Sequence, residues 1–304
     1  MVVTKSSVKT KFSGLVIPLL LAAFLGCGYY LYWSKAAREI ETRARAALGQ
    51  AGASSVKVSG FPYRLTLDVS QLKLGNEASI SFTSSSLSAT ASPFNPMLWV
   101  LEGALDPTLA LKDGPARPLK AENLKASLRL SKDGLERFSL TFDGVKATGD
   151  GGWRVGKGLF HVMTGFENQT SLATVLDLKE IEIAQPLSGA GAILGQKLQH
   201  VFVSGPIDQR QALMRSTQAW RDAGGKLTIM AGEIIWGPVY FNNAKGEITL
   251  SQDDKWQGNL AGQGALKPEG IAVAALAGPI GLEFKDDRLS LNGLPGIDLS
   301  DAFR

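Results

Sequence analysis

The sequence predicts a mainly β, α+β fold: a long, twisted antiparallel sheet with a few helices, of which an open half-barrel is one form, behind a single hydrophobic N-terminal helix. Three observations carry this. One uncharged apolar run lies near the N-terminus, most later segments alternate apolar and polar residues with a period of two, and turn dipeptides recur between those segments.

The apolar run comes first in the chain. No charged residue stands between Lys11 and Lys35, and the stretch from Phe12 to Ser34 is 23 residues long. As a helix it reaches roughly 34 Å, enough to cross a hydrocarbon core of about 30 Å. Its far end carries Tyr29, Tyr30, Tyr32 and Trp33, rings suited to the headgroup level. A cleaved signal sequence would use a shorter core, with Gly26-Cys27-Gly28 as its site, and would leave YYLYW at a greasy mature terminus. Acylation at Cys27 would need a Leu-small-small pattern where Phe24-Leu25-Gly26 stands and a polar tether after it. An uncleaved anchor is the expectation. Basic residues flank both ends, so charge counts do not orient the segment; a tail of only 11 residues before it favours an N-terminus in the cytoplasm.

From Lys35 to Leu48 the residues are strong helix formers, closing at Gly49 and Gly52; this predicts a short amphipathic helix that lifts the domain off the bilayer. Beyond residue 56 the period is two. Tyr63, Leu65, Leu67 and Val69 alternate with Arg64, Thr66 and Asp68; Leu124 to Ser131 and Arg137 to Phe142 repeat the pattern. Turns are expected at Lys132-Asp133-Gly134, Asp143-Gly144, Asp150-Gly151-Gly152, Asn242-Asn243, Asp253-Asp254 and Asp286-Asp287, spaced for antiparallel meanders. Two internal helices are expected, over Pro206–Asp222 and more weakly over Glu269–Leu276, packed on the apolar face of the sheet. Residues 184–205 interrupt the strand pattern without a linker long enough to separate two domains.

The charge balance limits the function. Residues 1–45 hold seven basic and two acidic side chains, and the other 259 hold 25 basic and 26 acidic, so the overall +4 belongs to the membrane flank. The large domain is neutral, which argues against nucleic acid as a partner. His161 and His200 lie about forty residues apart with no Asp, Glu or Cys at metal-ligand spacing. No serine stands in a nucleophile elbow and the one thiol, Cys27, is in the apolar run, so neither an enzyme nor a cofactor or metal is expected. Gly189-x-Gly191 lacks the βαβ context and the acidic residue of a dinucleotide loop. What stands out is aromatic residues beside Gly and Pro. Phe61, Tyr63, Phe94, Trp99 and Trp236 are the candidate rim of an apolar groove, core packing at strand ends being the alternative.

The order of these features, with GFPYRL (Gly60 to Leu65), Pro96-Met97-Leu98-Trp99, Trp220, Gly224-Gly225, Ile235-Trp236-Gly237-Pro238 and Gly246-x-Ile248-x-Leu250, resembles a family of membrane-anchored alphaproteobacterial proteins described only as a domain of unknown function, DUF2125-like. The resemblance implies a periplasmic domain and carries over no catalytic residues. The chain then divides into a cytoplasmic tail (1–11), a transmembrane anchor (12–34), a juxtamembrane helix (35–49) and a periplasmic β-rich domain (50–304). The expected function is an inner-membrane envelope protein whose apolar sheet face binds or shields lipid-like or protein partners. A structural scaffold of the envelope is the alternative, and an envelope hydrolase a remoter one.

Overall fold

The computed structural model describes residues 13–49, 53–75, 80–102, 108–111, 117–131, 134–148, 152–164, 170–183, 196–253, 255–266, 276–285, 288–291 and 294–298. The turns expected at 132–133, 150–151 and 286–287, the glycines at 189–195 and residues 269–275 of the weaker predicted helix lie outside them.

One helix, α1, runs unbroken from Ser13 to Gly49. The two N-terminal helices expected separately are one element: no Gly or Pro divides Trp33 from the helix formers Ala36, Ala37 and Arg38, and Ser34 between them stays helical. Its second half is no spacer. Trp33, Ala37 and Ile40 pack with Leu65, Ala89, Ala91 and Trp99, and Ala44 and Leu48 pack with Val56, Val69 and Leu72. These five helix positions recur every three or four residues, so they form one stripe, and that stripe is laid on the sheet. Backbone of the neighbouring edge is tied in as well: Val58 N–H donates to Glu41 at 3.2 Å and Arg45 Nε donates to the Val56 carbonyl at 3.3 Å.

The strands are β1 (Ser55–Ser59), β2 (Leu65–Gly75), β3 (Ile80–Ser92), β4 (Asn95–Glu102), β5 (Thr108–Leu111), β6 (Arg117–Ser131), β7 (Gly134–Ala147), β8 (Trp153–Thr164) and β9 (Leu172–Ile183). After them come β10 (Lys197–Ile207), β11 (Lys226–Ile229), β12 (Ala231–Trp236), β13 (Val239–Leu250), β14 (Trp256–Leu266), β15 (Leu276–Lys285), β16 (Arg288–Leu291) and β17 (Leu294–Asp298). All belong to one seventeen-stranded sheet. Pairing is antiparallel throughout and follows chain order, as the closely spaced turn signals predict. Two forks relieve it. β3 pairs with β4 and then β5, both of which continue to β6; β10 pairs with β12 and β11, both of which continue to β13. The strand over Lys197–Ile207 joins β9 to β12, so the sheet runs on past the interruption at 184–195.

Left-handed residues keep one face apolar along the long strands. In β2 the apolar positions are Leu65, Leu67 and Val69, then Leu72, and Gln71 between them is left-handed with φ 53°. In β7, Phe138, Leu140 and Phe142 give way to Val145 and Ala147 across Gly144, φ 66°; in β9, Leu176 and Leu178 give way to Ile181 and Ile183 across Glu180, φ 57°. Against β6 and β14 the register shifts beside Gly144 and between Asn242 and Lys245, and these are bulges, which also increase the local twist; across Gln71 and Glu180 the pairing keeps its register, and the left-handed residue alone changes the parity. Asp143-Gly144 and Asn242-Asn243, expected as turns, are therefore bulges inside β7 and β13; a left-handed residue serves either purpose.

The helix expected over Pro206–Asp222 is two short ones, α2 (Arg210–Arg215) and α3 (Thr217–Asp222), while Pro206 and Ile207 finish β10. Ser216 is extended, and its hydroxyl accepts from Ala219 N–H at 2.9 Å, so it ends one helix and caps the next. Neither helix covers the apolar face. Only Trp220 is buried, donating to the Asp208 carbonyl at 2.9 Å, and Arg210 binds the Leu135 carbonyl at 2.8 Å, across the ends of the strands. The face-covering helix is α1.

Candidate functional site

Residues opposite one another on paired strands share a face, so register alone maps the sheet's two surfaces. One row runs Val58, Leu67, Ala89, Leu101, Ala126, Leu140, Phe160, Leu176, Val203 and Gly232, crossing ten strands without a polar side chain. A parallel row runs Leu65, Ala91, Trp99, Leu128, Phe138 and Val162. The α1 stripe covers the start of both rows, in a cluster that extends to Leu128 and Leu130 of β6. Beyond it, Phe138, Leu140, Phe160, Leu176 and Val203 are half-buried, and among the described residues no helix lies over them.

The opposite face is mixed, with Val100, Leu159, Val175 and Phe202 in register among polar side chains. Its rows include Thr66, Thr90, Ser127, Ser139, His161 and Ser204, and, nearer the other strand ends, Lys125, Thr141, Asp177 and Glu233. Sequence spacing hid what pairing brings together here. His200 lies between two carboxylates, Nδ1 2.9 Å from Glu233 Oε1 and Nε2 2.9 Å from Asp177 Oδ1, and Tyr240 also reaches Glu233 at 3.3 Å. His161 Nδ1 lies 2.5 Å from Ser139 Oγ. Serine and carboxylates thus attend different histidines, and no group of His, Cys, Asp and Glu among the described residues has metal-binding geometry. Elsewhere in the sheet the Glu247 carboxylate, hydrogen-bonded to Lys226 at 2.8 Å, raises its ammonium above the ordinary lysine value.

The five candidate rim residues do not share one groove. Phe61, Tyr63 and Phe94 sit together on two turns, Gly60–Arg64 and the β3–β4 connection, beside the aromatic end of the apolar run. Tyr29 stacks against Phe94 at 5.9 Å and lies 6.0 Å from Phe61, while Tyr30 and Trp33 meet Phe61 edge-on at 5.4 and 5.5 Å. Hydrogen bonds fix the arrangement. Tyr29 donates to the Pro62 carbonyl, Tyr32 to the Pro93 carbonyl at 3.0 Å and Trp33 Nε1 to the Arg64 carbonyl at 3.1 Å. Gly60 has φ 102°, and a Cβ there would stand 2.8 Å from the Arg64 carbonyl oxygen, so this turn closes only on glycine. Trp99 is core instead, 6% exposed beneath Trp33 and Ala37. Trp236 is buried at the opposite strand ends: Thr174 is in register with Val162 of the Trp99 row and Ile181 with Leu198, the partner of Trp236. The run from Thr174 to Ile181 separates the two levels by roughly 23 Å of strand. The signal for a buried Trp236 is its parity with Ile234, a neighbour on the apolar face.

Two open recesses mark these ends. One of about 320 Å³ is lined by Tyr63, Arg64, Ala91, Asn95 and Leu98, at the turns; the other, about 740 Å³, lies at the far ends of β7 to β10 among Lys146, Trp153, Arg154, Glu182 and Lys197.

A family model described as an uncharacterized protein conserved in bacteria, DUF2125, matches residues 33–279. The chain belongs to this family. The DUF2125 match begins at Trp33, the residue that joins α1 to the Gly60–Arg64 turn, and takes in the covering half of the helix and the sheet as far as β15. No curated protein and no solved structure matches the chain. Ahead of the DUF2125 region α1 is long and apolar enough to cross a membrane, with Ile17, Leu20, Phe24 and Leu25 exposed on its surface.

Proposed function

We propose that this chain is an inner-membrane envelope protein, anchored by α1 with its sheet in the periplasm, and that the apolar face binds acyl chains of lipid-like molecules. The observation that carries this is the ten-strand apolar row, of which α1 covers only the beginning. Half-buried Phe, Leu and Val side chains on consecutive strands offer the dispersion contacts that an extended hydrocarbon needs, and no polar group in the row has to be desolvated. An enzymatic reading has less support. A dyad of Ser139 and His161 has no carboxylate among its described partners, His200 has carboxylates and no hydroxyl nucleophile, and Cys27 sits in the apolar run. We read the domain as a binding module.

Native mass spectrometry of the full-length chain, released gently from membranes, tests the reading. Bound lipid is expected, and Leu176→Glu in the middle of the row is expected to remove most of it while Thr141→Glu on the opposite face leaves it in place. A bare protein mass for the parent chain, or equal loss in both variants, would sink the lipid reading; a co-purifying protein without lipid would favour the scaffold.

A further inference from the structure

The two turns that hold Phe61, Tyr63 and Phe94 serve neither the core nor the apolar rows. Tyr63 is 88% exposed and Phe94 79%, yet both stand on backbone fixed by hydrogen bonds to α1. Rings left in the open on a rigid platform are poor choices for water and good ones for the boundary between headgroups and acyl chains. Their height relative to a bilayer follows from α1. Tyr29 and Trp33 end its apolar run, and Phe61 and Phe94 lie within 6.0 Å of those rings. A helix that places Tyr29 and Trp33 at the headgroup level places both turns there too. Lys35 and Arg64, exposed at the same level, suit anionic headgroups.

We propose that the turns Gly60–Arg64 and Ser92–Asn95 form a second, non-helical membrane contact, with Phe61, Tyr63 and Phe94 seated at the headgroup boundary of the leaflet from which α1 emerges. This rests on the reading that α1 spans the bilayer. Leu65 and Ala91, the residues next to these turns, are buried under α1, and the row they begin comes out from that cover at Phe138, which is half-buried.

Depth-dependent quenching in vesicles of phosphatidylethanolamine and phosphatidylglycerol separates the two claims. An environment-sensitive fluorophore is attached to the full-length chain at Cys27, about 9 Å below Trp33 along the helix, or, in a Cys27→Ser background, at Phe94→Cys, Tyr63→Cys or Lys120→Cys. Lys120 lies at the opposite strand ends and is exposed. The expected result is deep quenching at position 27, shallow quenching with a blue shift at 94 and 63, and neither at 120. Quenching at 27 with labels at 94 and 63 behaving like that at 120 would overturn the second contact while leaving the span intact, and a second protein copy on the turns would give that result. A label at 27 beyond the reach of lipid quenchers would overturn the span and the proposal together.

Discussion

Trp33 holds three parts of the molecule at one point: the end of the apolar run, the Gly60–Arg64 turn and the core under the first strands. Trp33→Ala is expected to destabilise the chain by about 3–5 kcal/mol. Trp33→Phe keeps most of the packing and leaves the Arg64 carbonyl without its donor, a loss of about 1–3 kcal/mol; urea unfolding in micelles followed by circular dichroism distinguishes the two. At Gly60 the missing side chain matters. Gly60→Ala forces a Cβ against the Arg64 carbonyl at an unfavourable φ and is expected to cost about 1–3 kcal/mol. Gln71 is the converse case, a side chain tolerated in a left-handed position, so Gln71→Gly is expected to stabilise by about 1 kcal/mol and Gln71→Val to destabilise. The GFPYRL segment stands out in the sequence because of Gly60 and the aromatic residues. That Phe61 answers to Tyr29, Tyr30 and Trp33 was not legible, since nothing local links positions thirty residues apart.

Among the elements, alternation identified the strands well and their interruptions poorly. Leu124 to Ser131 and Arg137 to Phe142 are strand as expected, but Asp143-Gly144 and Asn242-Asn243 read as turns, because the residues that favour φ above zero are the same in a hairpin and in a bulge. The distinguishing signal was present: apolar residues resume on the other parity at Leu72, Val145 and Ile181. Deleting Gln71 tests this directly. With that left-handed residue gone, Leu72 or Val69 must face the other side, and loss of the folded β2 is expected, visible as fast hydrogen exchange of Val56 and Val58 amides opposite it. The helix over Pro206–Asp222 failed for a different reason. Its hydrophobic stripe is real at Trp220, but Ser216 favours capping over continuation. α1 shows the opposite error, a boundary expected where none exists. A chain starting at residue 50 loses the cover of Leu65, Ala91 and Trp99 and is expected to aggregate, whereas one starting at Gly28 keeps the docked half of α1 and should stay folded in size-exclusion chromatography.

At the scale of the whole molecule the sheet's two faces were predictable in kind and not in extent. Each strand announces an apolar side, but only the pairing lines ten of them into one row, and only the structure shows that α1 covers just its beginning. The same pairing scattered the five rim residues: three came together by the turns, Trp99 went into the core and Trp236 to the far strand ends. On the mixed face, His200→Gln is expected to leave lipid co-purification unchanged, because its partners Asp177 and Glu233 lie on the other surface; a drop in bound lipid by native mass spectrometry would contradict that separation. The uninterrupted course of α1 has a mechanical side. If α1 spans a bilayer as proposed, a single rod unbroken from Ser13 to Gly49 transmits lean: in a thinner bilayer a long apolar run tilts to hide its excess length, and the β-structure packed on it would rock by the same angle. Bilayer thickness would then set how steeply this protein stands.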